Sequence, residues 1–227
     1  MTAIIISVVL ILVVIGLDQA SKYAIVALFG VGDHLGKGAE AMDAIARGLK
    51  SIDIIPGVFR LSFVVNDGAA FGSMDDNRWL FMILSTVAIV AILVYMFWKK
   101  PQNPLLLSSL ILITGGGIGN MIDRVALGYV IDFFDFAPAF AVNRVPFNLI
   151  ANILNLDSKI TTFWPWVFNV ADSCVCIGAA LMALWLIIDL VKEMKKEKAK
   201  KLAEAAQSEA ENSATDNETG ENGDSDE

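Results

Sequence analysis

The chain has 227 residues but only one histidine, His34, and two cysteines, Cys174 and Cys176. One imidazole cannot build a histidine-rich metal centre, and a serine- or cysteine-based triad would have to use His34. The cysteines stand two apart in an apolar run, where on a helix they point about 200° away from each other and cannot bridge. They read as small buried hydrophobes and say little about redox compartment. Lys and Arg are absent from Leu202 to Glu227, a stretch with nine acids. Those nine more than account for the formal net charge of -8, so the acidity belongs to one segment. That segment has almost nothing apolar to bury, which predicts disorder and makes 192–227 a charged, disordered cytoplasmic tail. No metal, organic cofactor or nucleic-acid partner is implied.

What is abundant is apolar surface. Apolar residues make up 56% of the chain and the mean hydropathy is +0.60, above the roughly 45–50% of ordinary soluble domains. Four stretches reach the roughly 20 residues needed to cross a bilayer as a helix: Ala3 to Phe29, Trp79 to Trp98, Leu105 to Ile122, and Trp164 to Leu190. The first lacks a basic leader and an Ala-x-Ala exit, so it reads as a permanent span and not a cleaved signal. Lys99-Lys100 follows the second span, and Lys192, Lys195, Lys196, Lys198, Lys200 and Lys201 follow the fourth. Basic residues mark the cytoplasmic side. Both termini are then expected inside, with 30–78 and 125–163 outside the cytoplasm.

The outer segments carry patterns of their own. Met42, Ile45, Ala46 and Leu49 recur at helical spacing against Glu40, Asp43, Arg47 and Lys50, which suits a short amphipathic helix on the membrane surface. Phe59, Leu61, Phe63 and Val65 alternate with Arg60 and Ser62, a strand signature running into Asn66-Asp67-Gly68. The block 137–163 mixes Pro138, Pro146 and several asparagines with scattered apolar residues and reads as an outer loop with partial helix.

Charges inside the spans are the informative residues, since each costs at least about 2.5–3.5 kcal/mol to insert. Asp18 and Lys22 share a face of the first span at i, i+4. Asn120, Asp123 and Arg124 share a face at the outer end of the third, and Asn169 and Asp172 lie one and two turns in from the outer end of the fourth at Trp164. With Asp132, just past span three, these groups converge on the outer third of the membrane. Asp18 with Lys22, and Asp123 with Arg124, can be read as helix-locking ion pairs. Asp132 and Asp172 have no basic neighbour at helical spacing, and Asp172 needs a partner across the bundle. Two carboxylates sharing a water are the hydrolytic device this inventory supports, because one can hold a proton while the other stays ionised. A proton or ion pathway through the same acids is the competing reading at this point.

Four blocks then resemble the lipoprotein signal peptidase (signal peptidase II) family. They are Asp18-Gln19-Ala20-Ser21-Lys22, Asn66-Asp67-Gly68-Ala69-Ala70-Phe71-Gly72, the run from Gly115 to Asp132-Phe133, and Phe168-Asn169-Val170-Ala171-Asp172-Ser173. The resemblance covers roughly residues 5–190. It implies an all-α membrane protein, a four-transmembrane-helix bundle with a small extracytoplasmic β platform and a surface amphipathic helix, in a peptidase domain over 1–191. It further implies an aspartyl endopeptidase of the bacterial inner membrane that cuts diacylglyceryl-modified prolipoproteins before the lipidated cysteine, as a monomer in contact with membrane lipid. Asp132 and Asp172 would form the catalytic dyad, with acid and base roles unassigned. Asp123 is the rival for the first position; Asp132 is preferred because Arg124 adjoins Asp123 and would keep it ionised and occupied. Asp18, Lys22, Asn66, Gly68, Ala69, Gly119, Asn120, Asp123, Arg124, Asn169 and Ala171 would bind substrate or support the dyad. The 40 residues between Asp132 and Asp172 exceed the spacing of compact family members, and the acidic tail lies outside the family core.

Overall fold

A computed structural model describes residues 2–67, 78–136 and 166–220. Its elements are α1 (Thr2–Phe29), a single 3-10 turn (Gly32–His34), α2 (Ala39–Arg47), β1 (Ile52–Ile55), β2 (Phe59–Asn66), α3 (Arg78–Lys99), α4 (Pro104–Ala126), β3 (Val130–Asp135), β4 (Val167–Phe168) and α5 (Val170–Gly220). Among the described residues, four helices are long and apolar enough to cross a membrane: Ile4–Phe29, Met82–Lys99, Pro104–Ala126 and Val170–Leu202. Many of their large apolar side chains face outward, including Ile5, Leu12, Leu17, Val87, Val94 and Ile187. In water such surface would be a liability; in hydrocarbon it needs no cover.

Helix α4 is the hub of the bundle, with half of its span buried against 6–17% for the other three. Pro104 opens it and the Asn103 side chain caps it, accepting from the Leu105 and Leu106 amides at 3.0 and 3.1 Å. Its glycines let neighbouring helices approach closely. A Cβ on Gly115 would meet Val14 of α1 at 2.7 Å, and one on Gly116 would strike the Ala171 carbonyl of α5. Polar groups on all three helices can therefore meet without long side chains.

Outside the spans, the described residues form one antiparallel sheet in the order β1-β2-β3-β4. Strand β2 is the one its alternation predicts. It pairs with β3 through Leu61↔Phe134 and Val64↔Asp132, with an irregularity that leaves β2 one residue longer than its partner. Helix α2 also forms where its periodicity places it. Its apolar side is covered by the protein itself: Met42 is fully buried against Ile25, Val26, Val31, Phe63, Tyr129, Ile131 and Phe133, with Ile45, Ala46 and Leu49 packed alongside.

Two elements differ from what the sequence predicts. The apolar run from Trp164 does not enter the fourth helix directly: Val167 and Phe168 pair with β3, and the helix begins only at Val170. The expected disordered tail is helical through Gly220. Lysine, alanine and glutamate are strong helix formers. Glu193–Lys196 and Glu197–Lys201 pairs at 2.9 and 2.7 Å add support along the axis. The chain divides into two units, Met1–Leu181 and Met182–Glu227, the second being the remainder of α5 and the residues after it. The 137–163 block, Gly68 and Ala69 lie outside the described residues.

Candidate active site

Asp18 and Lys22 lie one turn apart on α1 and are 0% and 2% exposed. The Lys22 ammonium directs its three donors to Asp18 Oδ2 at 2.8 Å, Asp123 Oδ2 at 2.8 Å and Asn120 Oδ1 at 3.1 Å. The expected Asp123–Arg124 pair is not what forms. Neighbours in sequence diverge by about 100° on a helix, so the two side chains do not face each other. Asp123 is held instead by Lys22, by Gln19 Nε2 at 2.9 Å and by the Ile131 amide at 3.2 Å. Arg124 reaches back to the Asn120 carbonyl at 3.5 Å and lines the cleft described below.

The Asp18 carboxylate extends the network to α5 by accepting from the Ala171 amide at 2.9 Å. This explains Gly119 and Ala171 together. A Cβ on Gly119 would lie 2.6 Å from Asp18 Oδ2 and 3.4 Å from the Ala171 Cβ. Small residues at both places let one carboxylate seat on a helix N-terminus.

Asn169 caps that terminus. Its Oδ1 accepts from the Asp172 amide at 2.9 Å, while Asp172 Oδ2 accepts from the Asn169 amide at 3.1 Å, a reciprocal capping box. Asp172 is thus in the first turn of α5 and not two turns deep, near the positive end of the helix dipole. Its required partner across the bundle is Asn120, whose Nδ2 donates to Asp172 Oδ1 at 2.7 Å. The other end of the Asn169 carboxamide donates to Asp132 Oδ1 at 2.7 Å and to Asn120 Oδ1 at 3.0 Å. Asn66 Nδ2, at the end of β2, donates to Asp132 Oδ2 at 2.9 Å.

Asp132 is 1% exposed. Burial pushes its carboxyl up to about 7, and the charge of Asp172 adds to the rise; the Asn66 bond, the Lys22 charge and the Asn169 bond oppose it. Asp172 is half-buried and opens onto a cleft of about 300 Å³ between α3, α4 and α5. Asn120 and Arg124 share its polar end, and Ala88, Ile89, Ile92 and Ile113 form apolar wall below. The geometry offers two carboxylates held by the Asn169 and Asn120 carboxamides, with Asp132 buried and Asp172 at the mouth of an apolar groove.

A family model described as signal peptidase (SPase) II matches residues 10–188. The chain belongs to the signal peptidase II family. It is 32% identical over 190 residues to the lipoprotein signal peptidase of Pelotomaculum thermopropionicum, covering 84% of this chain and 97% of that one. It is 35% identical over 178 residues to the lipoprotein signal peptidase of Halothermothrix orenii, covering 78% and 92%. The fold resembles a solved bacterial membrane enzyme, obtained by the in meso method at 2.3 Å resolution, with TM-score 0.56 over 81% of this chain and 88% of that one. Identity to it is 24%, so that likeness speaks for the fold.

Within the family's blocks, sequence reasoning gives no role to Gln19, although it adjoins Asp18. Gln19 Nε2 donates to the Gly119 carbonyl at 3.2 Å as well as to Asp123. Asn169 is among the expected support residues, but the apolar run before it hides its place as helix cap. Pro165 and the Asn-x-x-Asp spacing are the signals that mark the boundary.

Proposed function

We propose that this protein is an aspartyl endopeptidase that removes signal peptides from diacylglyceryl-modified prolipoproteins, cutting on the N-terminal side of the lipidated cysteine. Asp132 and Asp172 are the catalytic pair. The observation that carries this reading is the Asn169 carboxamide, which holds Asp132 with its nitrogen and the Asp172 turn with its oxygen. Family membership and the relatives' names support the substrate class. The ionised carboxylate of the pair takes a proton from a water lying between them, and the hydroxide attacks the scissile carbonyl. The protonated carboxyl then gives its proton to the departing amine. An Asp132 carboxyl raised to about 7 suits a pair that carries one proton near neutral pH.

The apolar cleft below Asp172 takes the signal-peptide side of the substrate and its acyl chains; Arg124 and Asn120 at its mouth orient the polar groups near the cut. Lys22, Asp18 and Asp123 keep the α1–α4 wall of the site in place, and Gly68 and Ala69 are assigned to substrate binding by their place in the family motif. Both termini face the cytoplasm of the bacterial cell, the site lies toward the outer leaflet, and the protein works as a monomer. The test is incubation of the purified protein with one precursor in its lipid-modified and unmodified forms. Cleavage of the modified form alone, before the cysteine, is expected. Equal cleavage of both, or none, overturns the reading.

A further inference from the structure

Phe59, Phe134, Phe136 and Phe168 form one aromatic cluster on the sheet. The Phe59 ring lies 4.7 Å from Phe136 and 6.0 Å from Phe134, and the Phe168 ring lies 5.8 Å from both Phe134 and Phe136. The rings come from β2, β3, the residue after β3, and β4. All four are half-buried, unlike Phe63 and Phe133, which sit 4% and 2% exposed in the core over α2. Phe134 also touches that core at its edge. The cluster keeps accessible ring surface instead of being packed away.

It is also continuous with the site. Phe134 follows Asp132 by two residues on β3, and Phe168 directly precedes Asn169. A two-residue step along a strand advances about 6.6 Å and returns to the same side of the sheet. Three adjacent strands span about 10 Å, enough to underlie about three residues of an extended chain.

We propose that these four rings bind the side chains just beyond the cleaved bond, on its C-terminal side, and give the enzyme a preference for apolar or aromatic residues there. The inference rests on Asp132 and Asp172 being the catalytic pair. A substrate with its signal side in the apolar cleft and its scissile bond at Asp132 continues outward over the sheet. Its second and third residues past the cut then come over Phe134, Phe136 and Phe168. Phenyl rings offer such residues no hydrogen bond, so a polar side chain loses hydration without compensation while an apolar one gains burial.

The test uses the full-length protein and lipid-modified precursors that differ only at the second and third residues after the cut, carrying Phe or Leu in one set and Ser or Asp in the other. Expected is a kcat/KM about five- to twenty-fold higher for the apolar set, carried mainly by KM. In Phe136→Ala that ratio falls toward one. Equal kcat/KM across the series in the unaltered protein overturns the inference while leaving the proposed function intact, and needs no variant to fold. Persistence of the full ratio in Phe136→Ala, with only thermal stability lowered, also overturns it by making the cluster purely structural. Failure to cut any lipid-modified precursor would instead strike the proposed function itself.

Discussion

Asn169 uses both ends of one carboxamide, so substitutions can separate its two jobs. Asn169→Asp keeps an oxygen for the α5 cap but loses the donor to Asp132 and adds a third carboxylate. Its kcat should fall about 10²–10⁴-fold, and the third buried carboxylate should lower the melting temperature although the cap is kept. Asn169→Ala loses the cap as well and should cost about 1 kcal/mol of stability besides. Asp132→Asn and Asp172→Asn should each abolish cleavage with membrane insertion unchanged, read by precursor turnover after purification; full activity in either variant removes that residue from the pair. Asp132 also sets a pH dependence. Its folded pKa of about 7 lies above the ordinary 3.8, so the folded state holds this proton more tightly than the unfolded chain. Stability from this group is therefore fully present below about 4, is lost as pH rises toward 7, and changes little beyond. Melting temperature should decline across that window and do so less steeply in Asp132→Asn. At this scale the residue types are legible in the sequence, since few charges interrupt the spans. Pairing is not: Asp123 finds Lys22 on another helix, a contact that spacing within α4 does not encode.

The elements divide by how local their determinants are. The first three spans, α2 and β2 follow from apolar runs or periodicity within each segment, and the sequence predicts them to within a few residues; the fourth span begins six residues past Trp164 and extends beyond Leu190. Strand β4 does not follow from its own segment, because two residues become a strand only by pairing with β3. The α4 glycines link this scale to the site. Gly119→Ala places a methyl 2.6 Å from a carboxylate oxygen already committed to Lys22, on a side chain that also holds the Ala171 amide. It should destabilise by about 1–3 kcal/mol and lower activity through displacement of the α5 terminus, measured by thermal melting beside turnover. Lys22→Met is expected to be harsher, about 3–5 kcal/mol, since it strands two buried carboxylates. A melting temperature unchanged in Lys22→Met would mean that the ion network does not hold α1 to α4.

At the level of the whole chain, bulk properties mislead in one direction only. The net charge of -8 comes from the nine acids after Leu202, while the apolar fraction correctly announces a membrane protein. Removing residues 203–227 should leave cleavage of a lipid-modified precursor within about two-fold of the full chain, because the side chains of the site and its cleft end at Cys176. A larger loss would give the tail a role in turnover. Four spans with basic flanks at Lys99-Lys100 and Lys192–Lys201 predict that reporters fused at either end remain in the cytoplasm.

The shared ammonium of Lys22 has a consequence for how the protein is made. Helix α1 carries one acid and one base a turn apart, and α4 carries one of each near its C-terminal end. The α1 pair meets within one helix, so α1 can enter lipid as a neutral unit, whereas Asp123 and Arg124 point about 100° apart on α4 and take their partners from elsewhere. When α4 packs beside α1, Lys22 takes Asp123 as its second carboxylate, and Arg124 lines the cleft. The same ammonium therefore serves twice: as the counter-ion of Asp18 within α1, and across helices as the contact that fixes α4 beside it.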